Sequence, residues 1–193
     1  MSTVHVSSIA AVADASGHAD RRMFLLPYFL PRNILPAMSN ELAREIRQGK
    51  PFANLEEEVF LNVLRTGDGL LQGEVEVLRT EELSFAQYNV LRILRGAGEG
   101  GASCGGIAER MVNREPDLTR LLDRLERRGL VARTRDAQDR RVVLATITAE
   151  GRAVLARLDD RVAAVHRRQL RHMSRAQLEA LAELLALARH APR

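Results

Sequence analysis

Arginine is the residue type whose placement in this chain can do chemistry. Residues 84–148 hold twelve arginines against eight acids, a surplus equal to the whole chain's formal net charge of +4, so the remainder is neutral. A guanidinium presents a rigid fork of donors that matches phosphate oxygens and the exposed edge of guanine, and a localised excess of such groups attracts polyanions. Lys50 is the single lysine. Genome base composition alone can produce that preference for arginine, but it does not gather the excess charge into one segment. Other chemistries find no support. The five histidines lack metal-ligand spacing, and the lone Cys104 has no internal partner for a disulfide. No Ser/His/Asp set or suitably placed carboxylate pair occurs, and the run GAGEGG at 96–101 lacks both a following Lys-Ser/Thr and a preceding strand. Neither an enzyme, a cofactor nor a metal site is expected.

The cations must be held by particular elements. Ser103 suits the N-cap of a short helix at 104–111, and Pro116-Asp117 opens a third helix that runs to about residue 128 before Gly129. Two short helices joined by a tight turn form a helix-turn-helix. In the second, Leu118, Leu121, Leu122 and Leu125 share one face, while Asp117, Arg120, Arg124 and Arg127 share the other. Such a rod can enter a major groove N-terminus first, with Asp117, Thr119 and Arg120 in its leading turn. The same pattern also describes a solvated amphipathic helix, with Arg120–Asp123 and Asp123–Arg127 ion pairs. The next segment favours the groove reading. VART at 131–134, the charged turn RDAQDRR and VVLATIT at 142–148 read as a basic β-hairpin, the wing of a winged helix.

The flanks read as a frame. With 46% hydrophobic and 28% charged residues, the chain can bury one sizeable core. Residues 1–37 form an N-terminal extension in which Pro27, Pro31 and Pro36 forbid a continuous helix, and its cluster of Phe24, Leu25, Tyr28 and Phe29 suits packing on the body, a partner or a membrane surface. Met38 precedes a Ser-Asn-Glu helix start, so translation beginning there is a hypothesis; an intact Met1 in mass spectrometry of the native protein excludes it. Residues 38–83 are expected to hold a polar helix at 40–48 and a long helix at 55–79, with a break near Gly67 as the competing reading. Ser84 caps the next helix, carrying Tyr88, Val90, Leu91 and Leu94.

Residues 149–193 then supply two more helices. Leu155, Leu158, Val162 and Val165 step by three and four as in a helix–helix seam, and Ser174 with Gln177 opens a last helix bearing Leu178, Leu181 and Leu185. These stripes are expected at a dimer interface, with packing inside one chain as the alternative. The expected class is mainly α with a small β-wing: a winged helix-turn-helix at 84–148 between N- and C-terminal dimerisation helices. Without a long apolar span or a secretory leader, the expected location is the cytoplasm, away from any membrane.

The run PDLTRLLDRLERRGLVARTRDAQDRRVVLATIT at 116–148 resembles the recognition helix and wing of the MarR (multiple antibiotic resistance regulator) family. The likeness continues through TAEGRAVL and covers about residues 55–190. The family's wing reads Asp, any residue, Arg, then an alternating strand ending in Leu-Thr; here it is Asp139-Arg140-Arg141 and Ile147-Thr148. The resemblance implies that Arg141 enters the minor groove, where negative potential concentrates, with Asp139 orienting it and Arg140 near the backbone. It implies a homodimer on a near-palindromic operator, a sequence-specific regulator of transcription that represses until a small effector, often aromatic and anionic, relieves it. Arg114, Arg133 and Arg135 are then expected at phosphates, and Thr119, Arg120 and Arg124 at base edges or nearby phosphates. Two alternatives stay open: a redox-sensing regulator using Cys104 near a helix N-terminus, and a winged helix that binds only protein. The sequence departs from the pattern at Gly105-Gly106 and in the glycine-rich loop, which predict a short or mobile first helix.

Overall fold

Side-chain caps fix most helix starts in the computed structural model, which describes residues 41–136 and 139–190. The extension at 1–37, with its aromatic cluster and Met38, lies outside the described residues, as do the wing-tip residues Ala137 and Gln138. The chain divides into two compact units, residues 59–178 and residues 1–58 with 179–193. In the smaller unit, α1 (Glu41–Glu45) buries Leu42. The start of α2 (Leu55–Leu78) is closed by Asn54, whose Oδ1 accepts from Glu57 N at 2.8 Å while the Glu57 carboxylate accepts from Ala53 N at 2.6 Å.

In the larger unit α2 is unbroken at Gly67, contrary to the competing reading. Beyond that point it meets α6 (Ala149–Leu170). A Cβ on Gly73 would lie 2.5 Å from Gln169 Nε2 and 3.1 Å from Val165 Cγ1, so a glycine there admits the close approach of the two helices. Gln169 Nε2 donates to the carbonyls of Gly69 and Leu70 at 3.2 and 3.1 Å, and His166 Nε2 lies 2.9 Å from the buried Glu74 carboxylate.

Helix α3 (Phe85–Ala97) starts at a complete capping box of Ser84 and Gln87. It is followed by β1 (Ala102–Ser103), a strand that the sequence reading lacked, and α4 (Cys104–Ala108). Helix α4 stops before residue 111 because Gly105-Gly106 are poor helix formers, and its end tightens to the three-residue bond Arg110 N to Ile107 O. Then come α5 (Leu118–Arg127), β2 (Val131–Arg135), β3 (Val143–Ile147), α6 and α7 (Arg175–Arg189). The strands form an antiparallel sheet in the order β1-β3-β2, with Ala102 opposite Ala145 and Arg133 also opposite Ala145 on the other side. The arrangement is mainly helical with a small three-stranded wing.

The core joins α3, α4, α5 and α6: Leu91, Leu94, Ile107, Leu125, Leu155 and Leu158 have no exposed surface. This corrects the first expected dimer seam. Leu155 and Leu158 are 0% exposed, Val162 4% and Val165 5%, within a single chain, so this stripe is closed by the protein's own helices. A 3–4 spacing reports that a face is apolar, not whose surface covers it. On α7, Leu178 and Leu181 are half-buried and Leu185 is exposed, so that stripe retains free apolar surface. No helix among the described residues is long and apolar enough to cross a membrane.

Candidate nucleic-acid interface

Helix α5 turns its four leucines inward and its cations outward. Leu118, Leu121, Leu122 and Leu125 are at most 6% exposed, whereas Thr119, Arg120, Arg124 and Arg127 are exposed. Asp117 precedes the helix as its N-cap, with Oδ1 accepting from Arg120 N at 3.2 Å and Oδ2 lying 3.1 Å from Arg120 Nε. The expected face is thereby refined: Asp117 fixes the helix start and steadies Arg120, in place of the anticipated Arg120–Asp123 pair. Arg127 Nε reaches back to Asp123 O at 3.3 Å, leaving the Asp123 carboxylate to another partner.

That partner is Arg133 on β2. Its Nη2 meets Asp123 Oδ1 at 2.5 Å and Glu126 Oε2 at 2.5 Å, and its Nε meets the same Glu126 oxygen at 2.8 Å. The Glu126 hydrogen bond raises the guanidinium pKa above its ordinary value despite the opposing cost of desolvation. Arg133, expected at a phosphate, is thus engaged by two carboxylates and ties β2 to α5.

The wing tip is organised by aspartates. Asp139 Oδ1 accepts from Arg141 N at 2.9 Å and Asp136 Oδ1 accepts from Asp139 N at 3.0 Å, while Val142 N closes the turn on Asp139 O at 2.9 Å. Asp139 therefore shapes the backbone that carries Arg141. The Arg140 and Arg141 side chains are exposed, as are Arg135, whose Nη1 lies 3.4 Å from Arg140 O, and Arg114 in the α4–α5 turn. That turn is held by a residue the sequence reading missed: buried Asn89 on α3 accepts from Val112 N through Oδ1 at 3.0 Å. A lone asparagine on an otherwise apolar face was the available signal, since a buried amide needs a partner. Cys104 is exposed at the first position of α4.

The unit therefore presents exposed guanidiniums on a rigid helix and on the hairpin braced against it. The family model described as MarR family matches residues 83–143, the segment that builds both elements. The crystal structure of a MarR transcription factor from Planctomyces limnophilus is 41% identical, with 72% of this chain covering 99% of that one at a TM-score of 0.55. The chain belongs to the MarR family. Two further relatives are similar. CouR from Rhodococcus jostii RHA1, solved with p-coumaroyl-CoA bound, is 27% identical over 74% of this chain and 99% of that one, with a TM-score of 0.62. The HTH-type transcriptional repressor MdtR of Bacillus subtilis is 36% identical over 77 residues, 40% of this chain and 48% of that protein. The chain spans about half the length of the curated relatives it first matches. The curated relatives carry names of transcriptional regulators.

Proposed function

We propose that this MarR-family chain is a sequence-specific, double-stranded DNA-binding repressor, acting in the cytoplasm as a homodimer on a near-palindromic operator. One observation carries the reading: the leucine face of α5 is buried while Arg120, Arg124 and Arg127 on its opposite face are exposed. In this reading residues 84–148 bind DNA. Thr119, Arg120 and Arg124 meet base edges or adjacent phosphates; Arg141 enters the minor groove beside Arg140; and Arg114 and Arg135 add phosphate contacts. Arg133 and Asp117 serve by holding β2 and the leading turn of α5.

The helices at 38–83 and 149–193 pair two chains. Exposed Val59, Phe60, Val63 and Leu64 on α2, and Leu184, Leu185 and Leu187 on α7, are apolar surface that a second copy would cover, with Leu178 and Leu181 beside them. An effector that joins an aromatic group to negative charge is supported by CouR's bound p-coumaroyl-CoA and by a hollow of about 420 Å³ between α2 and α6. Gly73, Val77 and Val165 give it an apolar wall; Arg161 and Arg168 supply cations against the one carboxylate of Glu76.

Duplexes selected from random sequence by the purified protein give the operator. Binding followed by anisotropy, with light scattering of the complex, should show two chains per site and release by an aromatic carboxylate; a monomeric complex overturns the dimer, and release by no aromatic acid overturns the effector reading. Arg141→Ala is expected to weaken operator binding about tenfold or more, on the order of 1–3 kcal/mol. Unchanged affinity at fixed salt removes Arg141 from the interface.

A further inference from the structure

Arg127 and Arg128 are adjacent cations at the end of α5, indistinguishable by composition, yet their surroundings differ. They line one shallow cleft with Glu82, Gln87 and Arg124. Among the described residues, Arg127 makes one 3.3 Å bond, inside its own helix. Arg128 spends both terminal nitrogens on another element: Nη1 donates to Glu82 O at 2.7 Å and Nη2 to Glu81 O at 2.8 Å. These carbonyls belong to the tight turn at 79–82 that joins α2 to α3, where Glu82 takes a left-handed φ of 53°. A non-glycine residue in that region costs about 1–2 kcal/mol and persists where neighbouring contacts over-determine it.

The turn is also held from its other side. Arg157 of α6 binds the Glu81 carboxylate through Nε at 3.0 Å and Nη2 at 2.9 Å, and Arg161 Nη1 donates to Thr80 Oγ1 at 2.8 Å. The Arg157 bond keeps the Glu81 carboxyl below its ordinary pKa. Three arginines from two helices thus converge on three residues, Thr80, Glu81 and Glu82. At its other end α5 is tied by the local Asp117 cap.

We infer that Arg128 is a positioning residue: its fork on the Glu81 and Glu82 carbonyls, backed by Arg157 on Glu81, sets the angle at which α5 presents Arg120 and Arg124 to a duplex. The inference rests on the DNA-binding reading of α5. Arg120 stands eight residues from Arg128, about 12 Å along a helix, so a small tilt at the C-terminal end displaces the leading turn. Lysine offers one ammonium where two carbonyls accept a planar fork, so it substitutes incompletely.

The test measures the affinity of wild type, Arg128→Ala, Arg128→Lys and Glu81→Gln for a selected operator and for an unrelated duplex across a salt series. All three variants are expected to lose about three- to tenfold in operator affinity, lysine least, with the salt slope and the unrelated-duplex affinity unchanged. A phosphate contact would instead lower both affinities and reduce the slope by about one. That result, or wild-type affinity in all three variants, overturns the inference alone. A wild-type salt slope near zero overturns the DNA-binding reading, and this inference with it. Thermal melts identify any variant that fails to fold; Glu81→Gln and Arg128→Lys then decide the matter.

Discussion

The double substitution Arg120→Ala, Arg124→Ala is expected to lower operator affinity by about 30-fold to 10⁴-fold, because each guanidinium that grips a base edge bidentately is worth about 1–3 kcal/mol. Both side chains are exposed on the outer face of α5. Arg120 is steadied through Nε by Asp117 at 3.1 Å, which lowers the entropy lost when its two terminal nitrogens engage a base. The fold should tolerate the change: alanine is the best helix former, and the four inward leucines are untouched. The decisive measurement is an anisotropy titration at fixed salt alongside a thermal melt. Near-normal affinity with a normal melt would remove these residues from the interface; a collapsed melt would assign them to stability.

Leu125→Ala is expected to cost about 2–5 kcal/mol of stability, the range for deleting a buried leucine side chain where the surroundings only partly relax. Leu125 has no exposed surface and belongs to the core shared by α3, α5 and α6. For a chain of this size the melting temperature should fall by about 4–20 °C. Because Leu125 lies behind the cationic face, a variant that remains folded in the cold should still bind DNA there and lose binding as it melts. Coincident loss of ellipticity and binding on heating would bear this out; an unaltered melt would contradict the observed packing.

Much of the fold was legible because its signals are local. Leu118, Leu121, Leu122 and Leu125 declare a helical face by spacing, and Ser84, Ser103, Thr148 and Ser174 declare starts by the oxygens they offer to backbone N–H groups. The charged turn was readable from its residues, whereas the roles of Asp139, Arg140 and Arg141 within it came from the family resemblance. What escaped depends on the meeting of distant segments. Strand β1 is two residues long and exists by pairing with β3, some forty positions away. Arg133 was indistinguishable from its neighbours until folding placed it on Asp123 and Glu126. The stripe from Leu155 to Val165 was correctly seen as apolar and assigned to the wrong partner. Gly151, an unremarkable residue in TAEGRAVL, sits where a Cβ would lie 2.3 Å from Leu130 O, so it lets α6 start tightly against the end of the recognition unit.

The clasp of Arg133 on Asp123 and Glu126 makes helix α5 and strand β2 one mechanical body. In the proposed complex, a displacement that lifted the helix out of one groove would drag the hairpin from its neighbour in the same motion. Detachment from an operator would then be concerted rather than piecemeal, giving a steeper response to whatever triggers it than two independently jointed contacts would allow.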